Sequence, residues 1–509
     1  MKNQFKNIIE KEHGAFVLTR RGLLQGAGCL IAAAALPRPS ARAAAAAVAG
    51  PVPSAVPDST VIAKLSAYMS EAGNRELPAE ATEFTKHHIL DTIAAMVSGS
   101  NLAPGKVGIK FARAYGGEKV ATVVGSDVVC GPIEAAIANG MLAHSDETDD
   151  SHAPSRCHPG SGIVPAALAA GEKFGIDGNR FMRAVALGYD VGSRVTMTLG
   201  EDYIMVKNHR DTHQIAVNFG SAAAAACAAG LNAQQMRWVL DYAAQQAAGI
   251  NAWQRDSEHI EKSLCFAGFG ARNGVTAALL MSAGATGVDD IFTGENNYFL
   301  AYAPEADLAG LIDKLGERFE VKRTNIKRWT VGSPIQSPLD ALENLRKRRP
   351  FEADEVQKVV VRVGTSGASI INNRDMPDIC MQHMVAVMLL DKTASFKAAH
   401  DVARMKDPAV LRQRAKVELV PDAELEKLYP RRAGIVEVTF NNGTTEKERV
   451  DDTKGTLENP MNREEVVAKC QDLMAEVLGE AKSKRLIESV LDLESIKDIR
   501  ALRPLLQRT

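Results

Sequence analysis

The stretch from Ala143 to Gly162, AHSDETDDSHAPSRCHPGSG, carries four carboxylates, three histidines and one cysteine between two alanine-rich segments. PIEAAIANGMLAHS upstream and PAALAAGEKFG downstream both have apolar residues at helical spacing. The charged residues are therefore predicted to lie in a connection and at two helix ends. Because loops held between packed helices often carry reactive groups, the rest of the chain is expected to position this stretch.

Carboxylates beside histidines suit general acid–base chemistry, because neighbouring charge and partial burial can bring a proton donor and an acceptor near neutral pKa. Two other interpretations stay open. The acids could be helix caps and solvated loop residues, and histidine, aspartate and cysteine are also metal ligands. We predict no metal, because no second ligand group of clear spacing lies elsewhere and the acids outnumber what one zinc ion needs.

The N-terminus has the pattern of a twin-arginine export signal over residues 1–43, with Arg20-Arg21 before an apolar run and Ala41-Arg42-Ala43 as the cleavage site. The apolar run is too short for a membrane span and is broken at Pro37. Residues 44–57, rich in Ala and Pro, are expected to be a linker. These features predict a periplasmic protein.

Without residues 1–43 the chain has 53 basic and 60 acidic residues, a net charge of −7. This mildly acidic balance disfavours nucleic acid and anionic membranes as partners. Six cysteines remain, none in a C-x-x-C pair, and we expect free, mostly buried thiols. Cys157 leaves a second option, since it adjoins His158 and a thiolate there would be a nucleophile.

The chain of 509 residues is too long for one compact core, so at least two domains are expected. From Val61 to about Tyr302 the pattern is helical, apart from a short strand predicted at 121–126. Strands are predicted at 356–364, 415–421 and 434–440, and Asn442-Gly443 predicts a hairpin turn into a fourth. Helices lie between these strands, which indicates a smaller α/β domain, and two helical segments end the chain.

Several motifs together resemble the MmgE/PrpD family, which includes 2-methylcitrate dehydratase and cis-aconitate decarboxylase. Its members carry H-x-x-D-F-D-D-T-H, then H-P-G and V-P-A-A-L-A. The matching residues here are His144, Asp149, Asp150, His152, His158, Pro159, Gly160 and Val164 to Ala167. Glu147, Thr148 and Ser151 replace the family's Asp, Phe and Thr, which keeps a carboxylate and a hydroxyl.

The resemblance continues along the chain with substitutions at reactive positions. His213 precedes a Gly-Ala helix as in the family, with Gln214 in place of Pro, and at a helix N-terminus it could favour an anion or act as a cap. Lys262 matches the family's T-K-x-L-H, with Cys265 in place of His. A lysine among apolar neighbours needs an anion, which a carboxylate substrate would supply.

In the last third of the chain, Lys327 matches the family's K-x-x-x-x-C-x-x-x-H-P-A-L-D, and Gln336 occupies the His position. Arg374 matches an R-x-P motif, and His383 stands where the family has Tyr. Because histidine and tyrosine can both transfer protons, His383 could compensate for Gln336.

The resemblance implies a mainly α fold, in which a large all-helical domain (58–305, with 455–509 returning to it) carries an inserted smaller α/β lid domain (306–454). The implied catalytic residues are Glu147, Asp149, Ser151, His158, His213 and His383, with Asp149 or His158 as the base or acid. The implied substrate-binding residues are Lys262, Lys327, Gln336 and Arg374.

The absence of a dinucleotide fingerprint or P-loop favours a reaction without a cofactor. The implied activity is that of a lyase, the dehydration of a 2-methylcitrate-like hydroxy polycarboxylate by proton abstraction beside a carboxylate. Decarboxylation or epimerisation of a related acid is the alternative, and so is a periplasmic carboxylate-binding protein without turnover. The expected partners are a small polycarboxylate and a second copy of the chain in a homodimer.

Overall fold

A computed structural model describes residues 61–200 and 202–508. These residues belong to one compact unit. The predicted export signal (1–43) lies outside the described residues, and so does the predicted linker (44–57). Both stay predictions.

The first half of the chain is helical because its segments are long, alanine-rich and apolar at helical spacing. Its helices are α1 (Val61–Glu71), α2 (Ala79–Gly99), α3 (Ala103–Tyr115), α4 (Pro132–Ala143), α5 (Gly160–Phe174), α6 (Gly178–Leu199), α7 (Thr212–Ala229), α8 (Ala233–Gln246), α9 (Ile260–Ser263), α10 (Phe269–Ser282) and α11 (Tyr298–Tyr302). A π-helical turn, Leu264–Gly268, joins α9 to α10. Two short antiparallel strands, β1 (Ala121–Thr122) and β2 (Val129–Cys130), lie between α3 and α4.

Helix α7 lies at the centre of this half and packs against α5, α6, α8 and α10. Small residues allow the close approach: a Cβ atom on Gly192 of α6 would lie 2.2 Å from the carbonyl oxygen of Ala216. All of α7 except Ala229 is buried as a result. Its N-terminus, and with it His213, is therefore held rigidly.

The second half contains a four-stranded sheet covered by helices. Its elements are α12 (Ser333–Arg348), β3 (Val356–Gly364), α13 (Thr365–Ile371), α14 (Met381–Asp391), α15 (Phe396–His400), α16 (Pro408–Arg414), β4 (Val417–Asp422), α17 (Ala423–Glu426), β5 (Gly434–Phe440) and β6 (Thr445–Val450). The strand order is β4-β3-β5-β6, with β3 parallel to β4 and the other pairs antiparallel. Helices α12 and α14 pack on it.

The predicted mainly helical fold with a small sheet domain is confirmed. Gly443 has φ 82° in the turn between β5 and β6, as the Asn-Gly pair predicts. The predicted strand at 121–126 is shorter than expected, because the chain turns at residues 124–127: the Val123 N–H binds the Val128 carbonyl and the Val124 N–H binds the Asn139 side chain. The predicted domain boundaries stay predictions.

The chain ends in α18 (Arg463–Leu478), α19 (Glu480–Leu491) and α20 (Arg503–Leu506). Helices α18 and α19 pack against α2. The loop between α4 and α5, which we call the acidic loop (residues 144–159), is contacted from both halves of the chain. Tyr429, before β5, donates to the Ala153 carbonyl at 2.8 Å, and Lys469 of α18 donates to the Thr148 carbonyl at 3.0 Å.

Candidate active site

The four carboxylates of the acidic loop are buried, with exposures of 4% or less. This rules out the alternative in which they are solvated loop residues. A buried carboxylate is costly unless charges or hydrogen-bond donors surround it. Each of the four has such partners. Asp150 anchors the loop through hydrogen bonds, whereas Glu147 and Asp149 lie beside the lysines and histidines of the site.

Asp150 anchors the loop. Its carboxylate accepts hydrogen bonds from His88 at 2.9 Å, from the Tyr189 hydroxyl at 2.5 Å and from the Gly160 backbone N–H at 3.0 Å. The last bond satisfies a free amide at the start of α5. Its own carbonyl oxygen accepts from His158, so this residue fixes the direction of that ring.

Glu147 lies between two lysines. The Lys262 ammonium contacts one of its carboxylate oxygens directly, and the Lys327 Nζ lies 3.3 Å from the other. Burial opposes ionisation of Glu147, but the two ammonium groups outweigh it and hold the pKa of this carboxyl well below its ordinary value. Burial likewise lowers the pKa of Lys327, and Glu147 and Asp149 more than reverse this, so the lysine is charged.

Asp149 lies behind the histidines. It accepts from His144 Nδ1 at 2.8 Å, and its second oxygen lies 3.4 Å from His158 Nδ1 and 3.7 Å from Lys327 Nζ. Burial opposes its charge, but these neighbours hold its pKa well below the ordinary value. The carboxylate is thus ionised and fully buried, and it orients other groups more readily than it can meet a ligand.

His158 has one ring nitrogen committed and one free. Nδ1 lies 2.6 Å from the Asp150 carbonyl oxygen. Since a carbonyl only accepts, Nδ1 carries the proton, and Nε2 of the neutral ring has a free lone pair. Burial lowers the pKa of His158, so the ring is neutral at pH 7 and can accept a proton.

His213 repeats this arrangement at the start of α7. Its Nδ1 lies 2.8 Å from the Asp211 carboxylate, while the other Asp211 oxygen caps the helix at the Gln214 N–H. The cap is therefore the aspartate, and the histidine remains available. Its ring stacks on Phe266 with centroids 3.6 Å apart and lies 5.2 Å from the His158 ring. Burial lowers the pKa of His213 as well.

These groups face a cavity of about 360 Å³, within the range of about 300–1,000 Å³ common for small-molecule sites. It lies between the acidic loop and the sheet domain. Among the predicted site residues, those in its lining are Glu147, Ser151, His158, His213, Lys262 and Arg374. Asp149 and Lys327 stand immediately behind them through their contacts with Glu147 and His158.

The structure places two predicted residues elsewhere. The Gln336 amide hydrogen-bonds to the backbone of Trp329 and Val331 and lines a smaller neighbouring cavity of about 140 Å³. His383 lies in α14, which is largely apolar and buried from Met381 to Leu389, and is fully buried outside the lining of the larger cavity. Nothing in this geometry brings His383 to the proton-transfer groups, and its catalytic role stays a prediction.

Residues 63–310 match the MmgE/PrpD N-terminal domain, and residues 329–495 match the MmgE/PrpD C-terminal domain. The chain belongs to the MmgE/PrpD family. The resemblance inferred from the motifs is thereby confirmed.

Curated members of the MmgE/PrpD family are similar to this chain along nearly its whole described length. A cis-aconitate decarboxylase-like protein of Aspergillus oryzae is 26% identical over 492 residues, 89% of this chain and 99% of the relative. The cis-aconitate decarboxylase of Aspergillus terreus is 26% identical over 88% of this chain and 96% of its own length. The corresponding values for the Homo sapiens cis-aconitate decarboxylase are 26%, 83% and 89%.

Sequence reasoning missed three polar groups beside the motifs of this MmgE/PrpD chain. Asp211 orients His213, and its position two residues before that histidine at a helix start was a usable signal. His259 is 4% exposed beside His144 and Glu147, in a left-handed conformation with φ 62°. His400 of α15 lies 2.7 Å from Asp146. No local pattern predicts these last two positions.

Two groups of three side chains have the spacing of metal ligands, His144 with Asp149 and His158, and His144 with Glu147 and His259. Their donor atoms lie within 4.8 Å of one another. Both carboxylates already face ammonium groups, however, and a divalent cation would have to enter beside those charges. The two ammonium groups therefore oppose the entry of a divalent cation at either group of side chains.

The cysteines of the MmgE/PrpD chain from Cys130 to Cys470 are free and buried, as predicted. Burial raises the pKa of Cys157, so its thiol is protonated at neutral pH. A nucleophilic thiolate beside His158 is therefore not supported.

Proposed function

We propose that this protein is a cofactor-free lyase that acts on a small polycarboxylate by proton transfer at a carbon beside a carboxylate. One observation carries this proposal above the others. Two neutral imidazoles, each fixed through Nδ1 by an oxygen acceptor, stand 5.2 Å apart beside a cavity next to two lysines. This arrangement supplies proton acceptors and cations in one enclosed place.

The proton acceptor in this proposal is Nε2 of His158 or of His213. Each ring is neutral through burial, and each is held in the tautomer that leaves Nε2 unprotonated. The negative charge that develops on the substrate as the proton leaves is stabilised by the Lys262 ammonium, which lines the cavity. Asp149 and Asp211 act through the rings that they orient.

The imidazole that receives a proton can return it in the second half of the reaction. In a decarboxylation the carbon–carbon bond to a carboxylate breaks and carbon dioxide leaves. The imidazolium returns the proton that it removed, and one further proton, taken from solvent through the second imidazole, goes to the electron pair that the departing carbon dioxide leaves on carbon. In a dehydration the carbon–oxygen bond breaks, and the imidazolium protonates the departing hydroxyl. The same two rings serve either reaction.

The choice between these reactions rests on the relatives. The curated relatives described above carry the name cis-aconitate decarboxylase, which supports a cis-aconitate-like substrate and loss of carbon dioxide. Dehydration of a 2-methylcitrate-like acid is the second candidate, since the imidazolium formed by proton abstraction can protonate the departing hydroxyl. For either reaction we propose a homodimer in the periplasm.

The experiment is a product analysis with purified protein that lacks residues 1–43. The acids are cis-aconitate, 2-methylcitrate, citrate and an epimerisable dicarboxylate, in water and in deuterium oxide. Decarboxylation gives carbon dioxide and a dicarboxylic acid with at least one deuterium, whereas dehydration gives a new alkene without carbon dioxide. Incorporation of deuterium in deuterium oxide, together with no change of mass in ordinary water, indicates epimerisation. Binding without any of these products would refute the lyase proposal and favour a carboxylate-binding protein.

A further inference from the structure

Arg432 is a cation in the cavity lining that no sequence motif pointed to. It lies between Tyr429 and β5, and it lines both the cavity of about 360 Å³ and the neighbouring one of about 140 Å³. Within residues 61–200 and 202–508 no ion pair or hydrogen bond holds its guanidinium. Arg431 beside it differs, because it is paired with Asp452.

The lysines of the site cannot balance a polycarboxylate by themselves. Lys262 and Lys327 face Glu147 and Asp149, two cations against two carboxylates. The neighbouring histidines are neutral because burial lowers their pKa values. A di- or tricarboxylate that enters the cavity brings two or three further negative charges, which need cations not yet paired.

The Tyr429 ring contacts both Arg432 and the acidic loop. Its Cζ lies 5.5 Å from the Tyr429 ring centroid, and the Cζ of Arg156, from the acidic loop, lies 4.4 Å from the same ring. The Tyr429 hydroxyl binds the Ala153 carbonyl at 2.8 Å. The ring therefore ties the segment that carries Arg432 to the acidic loop while leaving the edge of the guanidinium free.

We propose that Arg432 binds a substrate carboxylate remote from the reacting carbon and so sets the preference for tricarboxylates over shorter acids. The planar guanidinium fork can donate two parallel hydrogen bonds to one carboxylate, which an ammonium group cannot. Arg374 lines the same cavity and already donates to the Gln254 carbonyl at 3.3 Å. This inference deepens the proposed function and rests on it for the identity of the ligand class.

The test measures binding by calorimetry with two probes that have no carbon–oxygen leaving group or alkene. Tricarballylate (propane-1,2,3-tricarboxylate) has three carboxylates, and succinate has two. In the wild-type protein tricarballylate should bind more tightly than succinate. Arg432→Gln should weaken tricarballylate about 10- to 100-fold, the usual effect of losing a charged bidentate contact, and should leave succinate within about 3-fold.

Two variants control for folding and net charge. Arg431→Gln removes the same charge from the adjacent position, and its binding should match that of the wild type. Arg432→Lys keeps the charge without the fork and should bind tricarballylate with intermediate strength. Unchanged tricarballylate binding in Arg432→Gln, or an equal loss in Arg431→Gln, would overturn the assignment. Should Arg432→Gln fail to fold, wild-type binding by the lysine variant would overturn it equally.

The outcome is separable from that of the proposed function. Binding that depends on Arg432, in a protein that turns over no acid, would refute the lyase and retain this carboxylate contact. Turnover of a tricarboxylate with binding unaffected by Arg432→Gln would refute this contact alone.

Discussion

Replacement of His158 by asparagine separates the catalytic and structural roles of the acidic loop. An asparagine amide nitrogen occupies nearly the place of the histidine Nδ1, so it can still donate to the Asp150 carbonyl, which is 2.6 Å away in the wild type. Nothing in asparagine replaces Nε2. The variant therefore keeps the anchoring hydrogen bond and removes the atom proposed to accept the proton.

The expected loss of turnover follows from that atom. Removal of a general base costs about 100- to 10,000-fold in rate, which is about 2.7–5.4 kcal/mol of transition-state stabilisation. Stability should change less, because the Asp150 bond remains and only the packing of part of one ring is lost, at about 1–2 kcal/mol. The affinity for an inert tricarboxylate should stay within about 3-fold, since Lys262 and the arginines are untouched.

The assay measures turnover per folded molecule and melting temperature on the same preparations. His152→Asn is the matched control. That residue lies in the same loop, but both of its ring nitrogens are already bonded, Nδ1 to Ser155 at 2.6 Å and Nε2 to Glu320 at 3.2 Å. We expect this control to lower stability and to keep most of its turnover. Near wild-type turnover in His158→Asn would mean that the loop is only a scaffold.

Three other predictions concern the buried charged groups, and a fourth concerns the N-terminal sequence. Burial lowers the pKa values of His158 and His213, so kcat/KM should hold at pH 6.5 and fall only at lower pH. An acid limb of the pH profile centred at or above about 6.5, the ordinary histidine pKa, would contradict the assignment of these rings as neutral bases. Burial opposes the charge of His400, but Asp146 outweighs it and raises the pKa of His400 to about 9, so the pair contributes stability that is complete below pH ~6.5 and lost as the pH rises through about 9. Denaturant titrations should show a loss of about 1–3 kcal/mol over that interval, which His400→Asn abolishes. Exhaustive chelation should leave turnover and melting temperature unchanged. A loss of activity on chelation that added zinc restores would contradict the prediction that the site holds no metal. Replacement of both Arg20 and Arg21 by lysine should retain the protein in the cytoplasm, and an unchanged periplasmic yield would exclude a twin-arginine signal.

Local rules predicted the elements whose structure depends on local chemistry. The β-branched run of β3 and the Asn-Gly turn before β6 both formed where the sequence indicated them. The strand predicted at 121–126 was wrong in length, because the chain turns at residues 124–127, where the Val124 N–H binds the side chain of Asn139, 15 residues away. Long-range hydrogen bonds of this kind leave no trace in the local pattern.

The residues of the site likewise include some that sequence motifs predicted and some whose position depends on long-range contacts. The motif positions Glu147, His158, His213 and Lys262 do meet at one cavity, although nothing local places Lys262 against the acidic loop. The role predicted for His383 rests on alignment by residue type alone and stays a prediction. This residue lies in a largely apolar helix, and that pattern by itself predicts a buried core position.

The charge balance of the site connects substrate binding with the strength of the base. In the free protein the two lysines and two carboxylates compensate each other, and burial outweighs the neighbouring carboxylates Asp149 and Asp211, which keeps His158 and His213 neutral. A bound polycarboxylate adds negative charge beside these rings and favours their protonated form. In the proposed reaction, an anionic substrate therefore raises the basicity of the groups that are to remove its proton, whereas a neutral analogue of the same shape would leave the rings weakly basic.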